Sequence, residues 1–304
     1  MDMQTHFLFG KDYPDKEKPT ILSVASNLAL ATIAGEGSTS RTEKKGSEDS
    51  AGNVNIPEKD ITLLLLADGH DGYQFGYHAV QQFADILCDT GINSSLSEAE
   101  IKQKYLDAVL QLNENIAKTI RGQETTFASI MRIGNDYYSL ATCDVYIARI
   151  RAENIEFAAN GCFPLSLVSL KSRIQNNHPD YKRIEAEITG ALKTKKMTIK
   201  SEEFQRLSEQ LLAIEKNSKL DFYLPYVDKA LPIRRWYASV GDIFLAATDA
   251  VDLKKQQYTK IVLDTLKSET DSATVLQNLI QRIMEFDNRK AFYDDCTFGM
   301  YRVE

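Results

Sequence analysis

Apolar and polar positions change their spacing abruptly around Ile61–Gly72. The stretch ITLLLLADGHDG stays hydrophobic as far as Ala67 and then turns to Asp68, Gly69 and His70. A run this short and apolar, bounded by Gly and Asp, predicts a fully buried strand that ends at Asp68. Gly69 and Gly72 allow backbone paths that a side chain would obstruct, and Asp71 is placed to cap the helix that follows. Gly76, Ala79, Val80, Phe83, Ala84 and Leu87 recur at helical spacing, and a second helix from about Ser97 carries Ile101, Tyr105, Ala108, Leu112 and Ile116 on one face.

The same criteria divide the rest of the chain. Residues 1–20 predict an edge strand or a loose lead-in, and ILSVASNLALATIAG (21–35) predicts one strand. Residues 36–60, polar and rich in Gly and Ser, read as loop. TTFASIMRI, YYSLATCDVYIARI, NIEFAA and FPLSLVSL predict successive strands. Residues 171–220 are rich in Lys, Arg, Glu and Gln yet keep a helical period, which predicts a helical insertion lying on the domain; a lid or partner-binding arm is the alternative. Strand signals return at DFYLPYV and RRWYASV, where Trp236 with Arg234 and Arg235 lines either a substrate groove or a half-exposed strand. IFLAAT is a second buried run, ending at Asp249. Two helices and a closing strand, DDCTFGMYRV, complete the chain.

Composition narrows the function. At 304 residues with a net charge of −7 and 43% hydrophobic residues, the chain is an ordinary globular one without the basic excess of a nucleic-acid surface. Four scattered cysteines imply reduced thiols, with Cys143 and Cys296 as packing residues in strands. No apolar stretch is long enough to span a bilayer and the N-terminus lacks a signal-peptide pattern. A cytoplasmic protein without membrane contact is expected, although an effector exported without a cleavable signal would read the same.

Two apolar strands end in carboxylates, Asp68 and Asp249, and a third begins with Asp294. If the third runs antiparallel beside the others, all three emerge at one end of the sheet, joined by Glu48 or Asp49 from the preceding loop. Converging carboxylates raise one another's pKa values, and a hard divalent cation resolves the repulsion. With no His/Cys ligand set, all-oxygen ligation selects Mg²⁺ or Mn²⁺. The plainer alternative is that each Asp merely ends its strand in a turn.

SED (47–49), ADGHDG (67–72), TCDVY (142–146), ATDAVD (247–252) and DDCT (294–297) occur in that order. In this the sequence resembles the metal-dependent type-2C protein phosphatases, the PPM family. Their pattern is a Glu-Asp pair, DGHGG, GDSR, SDG and a final DNxT. The resemblance implies an α+β fold, a four-layer α-β-β-α sandwich with two central antiparallel sheets flanked by helical pairs. It also implies one domain over 1–304, with 171–220 inserted. Asp68 and the Gly69 carbonyl match ligands of a cation pair; Glu48 (or Asp49), Asp249 and Asp294 match ligands of the second ion, and Asp144 a third. His70 matches the general acid, and Arg41 or Lys44 the phosphate-binding arginine. The implied activity is hydrolysis of phosphoserine and phosphothreonine in a phosphorylated protein by water activated between two cations.

The departures are specific. GDSR has become Cys143-Asp144-Val145-Tyr146, SDG has become Thr248-Asp249-Ala250, and Lys44 stands nearer the acidic pair than Arg41. They motivate an alternative, a catalytically weak pseudophosphatase serving as a binding module. Adjacent His70-Asp71 prompts another, an all-helical HD-type phosphohydrolase.

Overall fold

The computed structural model describes residues 3–36, 47–70, 72–120, 123–162, 164–166, 179–194, 198, 201–216, 231–268, 271–289 and 292–304. The first half of the chain gives β1 (Gln4–Phe9), β2 (Thr20–Ala25), β3 (Leu28–Ile33), β4 (Ser50–Ile56), β5 (Ile61–His70), α1 (Gln74–Asp89) and α2 (Glu98–Thr119). Strands β6 (Glu124–Ile133), β7 (Asp136–Ala141), β8 (Tyr146–Arg151), β9 (Asn154–Phe157) and β10 (Leu165–Ser166) follow. The remainder is α3 (Pro179–Lys193), α4 (Glu202–Lys216), β11 (Arg234–Trp236), β12 (Ile243–Ala247), α5 (Gln256–Ser268), α6 (Ser272–Phe286) and β13 (Cys296–Arg302).

Among these residues the strands build two antiparallel sheets. One has the order β1-β4-β5-β6-β7-β11, with β10 continuing beside β6; the other runs β2-β3-β13-β12-β8-β9. Leu30, Leu64, Leu66, Ile130 and Phe244 fill the space between the sheets. Helices α1 and α2 cover the outer face of the first sheet through Phe83, Leu87, Tyr105 and Leu112. Helices α5 and α6 cover the second through Val262, Leu276, Leu279 and Ile283. Each such side chain contributes about 2 kcal/mol on burial, which is why the four-layer α-β-β-α sandwich is built from these amphipathic faces. An all-helical hydrolase is excluded by the two sheets.

Local chemistry sets the helix starts. Ser97 and Glu100 form a reciprocal capping box at the head of α2. At α1 the cap position is Tyr73, not Asp71, and it makes no side-chain cap bond. Gln123 Oε1 instead accepts from Phe75 N at 3.2 Å. Asp71 lies outside the described residues.

Several sequence expectations are corrected. Residues 21–35 are not one strand but the hairpin β2–β3. The polar stretch 36–60 contains β4, the neighbour of β5; Gly52 lets Val80 and Phe7 pack against it, and buried Asn53 donates to the Leu63 carbonyl. YYSLATCDVYIARI is two strands in different sheets, β7 and β8, so Cys143 sits in the crossover turn, with a left-handed φ of 54°. Strand β5 runs two residues past Asp68. Trp236 is buried and donates Nε1 to Ser139 Oγ, so it lines no groove.

Helices α3 and α4 pack on each other through Ile184, Leu207, Ile188 and Phe204, a cluster of their own. The predicted strand at 221–227 and most of 163–170 lie outside the described residues, as do Arg41 and Lys44. Among the described residues no helix is long and apolar enough to cross a membrane.

Candidate active site

The three apolar strands do not bring their carboxylates to the edge of one sheet. Asp68 stands on β5 in the first sheet, whereas Asp249 follows β12 and Asp294 precedes β13 in the second. Strands β12 and β13 pair antiparallel, Ala247 opposite Phe298, so the end of one and the start of the other share an edge. The β7–β8 crossover, with Asp144, opens at the same end, since Tyr146 pairs with Ala247. Ser50 pairs with Ala67, which brings Glu48 and Asp49 there as well. The acidic groups therefore meet at one end of the sandwich, where the two sheets face each other.

Asp49 is fully enclosed. Its Oδ2 accepts from Thr248 Oγ1 at 2.9 Å, while its Oδ1 is buried with no hydrogen-bond partner. Burial first, then the charges of Asp68 and Asp295, push its pKa well above the carboxylate range. Asp68 is pushed up to about 8, again by burial first and then by Asp249, Asp294 and Asp144; contact with Asp49 partly offsets this. Asp249, half-buried, is raised by burial, Asp144 and Asp294, and His70 acts in the opposite direction. His70 itself is exposed at the tip of β5, and Asp144 and Asp294 are exposed in their loops.

Backbone geometry explains two glycines. A Cβ on Gly69 would stand 2.8 Å from both the Glu48 and the Gly72 carbonyl oxygens, so only glycine lets the loop before β4 lie against β5. Gly72 has a φ of 141°, a conformation that side-chain-bearing residues rarely adopt.

Sequence reasoning fixed on Asp294 and passed over its neighbour. Asp295 is the buried one: Oδ1 accepts from Gly35 N at 2.8 Å and Oδ2 from Glu48 N at 2.7 Å. It thereby ties β13 to the loop after β3 and the loop before β4. Asp294 is exposed and accepts from Asp295 N at 2.9 Å. Thr248 was also missed; its hydroxyl reaches Asp49 and accepts from Thr297 N at 2.9 Å. Both lie inside motifs already visible in the sequence (ATDA, DDCT), but nothing there marks which member turns inward.

The donor set is all oxygen, and Asp49 Oδ1 is a buried polar atom left without a hydrogen-bond partner. Both fit a hard cation. Among the described residues, no three of the acidic, imidazole or thiol groups stand close enough together to hold an ion as positioned.

No protein-family model and no curated protein matches the chain. Solved structures do. A serine/threonine phosphatase of S. agalactiae is 14% identical, with 94% of this chain and 100% of that one covered at a TM-score of 0.54. PppA of Pseudomonas aeruginosa is 15% identical over 95% of this chain and 99% of its own, with a TM-score of 0.52. Stp1, a serine/threonine phosphatase of Staphylococcus aureus, is 13% identical, covering 93% and 97%, at 0.54. The fold is that of the bacterial serine/threonine phosphatases.

On this phosphatase fold the sequence motifs line up with the acidic end of the sandwich. The β7–β8 turn is informative: Cys143 holds the left-handed φ of 54°. Glycine adopts that conformation freely, and an L-residue at a cost of about 1–2 kcal/mol. Asn160 Nδ2 offsets the strain by donating to the carbonyls of Cys143 and Val145, each at 2.6 Å.

Proposed function

We propose that the chain is a Mg²⁺- or Mn²⁺-dependent phosphatase of phosphoserine and phosphothreonine in proteins, one catalytic domain with α3–α4 inserted in it. What carries this is the gathering of Asp49, Asp144, Asp249 and Asp294 around Asp68, with Oδ1 of Asp49 buried and without a hydrogen-bond partner. The phosphatase fold supports it.

Asp68, the Gly69 carbonyl, Glu48, Asp249 and Asp294 would hold two cations, and Asp144 a third. Bound there, such ions would polarise phosphate oxygens and lower the pKa of water from near 16 toward about 7. The chain's own groups do the rest. Asp295 and Thr248 fix the loops that carry Glu48 and Asp49. Arg41, if it faces the site, would grip phosphate oxygens with two parallel N–H donors, and Lys44 would do so as a point charge. His70, beside Asp249, would deliver the proton that the departing serine or threonine oxygen takes up.

The test is phosphate release from a phosphothreonine peptide with added Mn²⁺. Wild type should turn over, and Asp68→Asn should lose at least about two orders of magnitude. Equal inactivity in both proteins removes the enzyme reading. One observation favours the second reading, a binding module on a phosphatase fold: the acidic groups do not stand at ligand spacing among the described residues. Phosphopeptide binding without turnover would establish it.

A further inference from the structure

Cys143 and Cys162 come together beside the turn that carries Asp144. Thr142 forms a parallel bridge with Gly161, closed by Gly161 N donating to the Ala141 carbonyl and Cys143 N donating to the Gly161 carbonyl, both at 2.8 Å. That last acceptor belongs to the residue bonded to Cys162. Standard backbone dimensions then hold the two α-carbons within about 7 Å, and a disulfide spans roughly 4.4–6.8 Å between α-carbons. Cys162 is exposed and Cys143 half-buried, so a dissolved oxidant meets Cys162 first and finds Cys143 next to it. Cys88 and Cys296 are buried in the cores of different sheets and offer no competing pair.

We propose that Cys143 and Cys162 are a reversible intramolecular disulfide site that fastens the turn carrying Asp144. Asn160 already grips that turn, and a few residues further along the chain lies β10, where Ser166 pairs with Glu124 and Leu165 with Thr125. Those two residues pair on their other side with His70 and Gly69. A covalent bond would therefore join the Asp144 turn to the strand beside the candidate active site. The oxidant is a small-molecule disulfide such as oxidised glutathione. The Cys162 thiolate attacks one of its sulfurs, expelling one small thiolate and leaving a mixed disulfide. The Cys143 thiolate then attacks the Cys162 sulfur, forming the protein disulfide and expelling the second small thiolate. Two protein thiols are oxidised, one small disulfide is reduced to two thiols, and the protein's two protons end on them. The crosslink stands apart from the phosphatase reading; only its effect on hydrolysis rests on it.

The experiment treats the full chain with oxidised glutathione, removes the reagent, unfolds the protein in acid and counts thiols with a maleimide. Labels should fall from the four cysteines of the sequence to two and return with dithiothreitol. A non-reducing digest should contain the Cys143–Cys162 linked peptide, and amide exchange at Asp144 to Tyr146 should slow. Cys143→Ser should stop at a glutathione adduct on Cys162, and Cys162→Ser should lose no label. Retention of four labels, a stable adduct on Cys162 in wild type, or a bond between two chains would overturn the assignment. None of these outcomes reads phosphate release, so failure here and failure of the phosphatase reading are distinguishable.

Discussion

At the scale of single residues, Asp295 organises more of the acidic end than the neighbour that sequence reasoning selected. Its two oxygens accept from two backbone N–H groups on different loops. Asn in its place would set an NH₂ against one of those donors. Hydrogen bonds to a charged group are worth about 1.5–3 kcal/mol. The opposing gain, relief of repulsion with Asp49, is small because Asp49 holds its proton well above the usual carboxylate range. Asp295→Asn should therefore lower stability by about 1–3 kcal/mol, read as an earlier urea midpoint at unchanged slope; an unmoved midpoint would show that the two loops are held by other contacts. The doublet Asp294-Asp295 was legible as acidic, but not which residue faces inward. Strand side chains alternate with a period of two, so a shift of one residue exchanges the roles. Cys143 was opaque for a related reason: an apolar letter between strand-like neighbours carries no sign of its left-handed φ.

Among the elements, those with a long hydrophobic period were readable and those whose burial rests on polar or small residues were not. Helices α1, α2, α5 and α6 and strand β5 followed from apolar spacing, because packing against a sheet demands it. Strand β4, SAGNVNI, hides Ser50 and Asn53 in the fold and looks like loop on composition alone. Its neighbours supply what its sequence lacks: β1 and β5 pair with both its edges. The β7–β8 crossover was hidden because the apolar pattern runs unbroken from one sheet into the other. Junctions between elements also carry a sharp test. A Cβ at Gly35, just after β3, would overlap the Asp294 backbone. Backbone cannot rotate aside as a side chain can, so Gly35→Ala should cost at least about 1–3 kcal/mol of overpacking. It should also displace the Asp294-Asp295 loop, seen as amide shifts there in NMR spectra. A variant as stable as wild type with an unshifted loop would contradict the close approach.

For the molecule as a whole, the two sheets bring carboxylates from four loops and the end of β5 together, and no reading of single segments could place them across the sandwich. Their shared charge gives a stability prediction. Folded Asp68 has its pKa pushed up to about 8, and Asp49 and Asp249 are raised too, against about 3.9 unfolded. Between about pH 4 and 8 the folded chain thus binds more protons than the unfolded one. Stability without divalent ions should fall as pH rises through that window, by up to about 1.4 kcal/mol per pH unit for each such group. Carboxylates held low by partners, such as Asp242 beside Arg151, act only below about pH 4 and do not mask the trend. Melting temperatures in chelator should decline from pH 5 to 8, and Mn²⁺ should flatten the decline. A melting temperature that climbs over the same range would mean that the carboxyls ionise freely and do not confront one another.

The most direct test is calorimetric titration of chelator-treated protein with Mn²⁺ at pH 7.5, in two buffers of different ionisation enthalpy. Gathered, partly protonated carboxyls should bind the ion saturably and release protons as it enters, and Asp68→Asn should lose most of that affinity. Absence of saturable binding, or binding equal in the variant, would contradict the account.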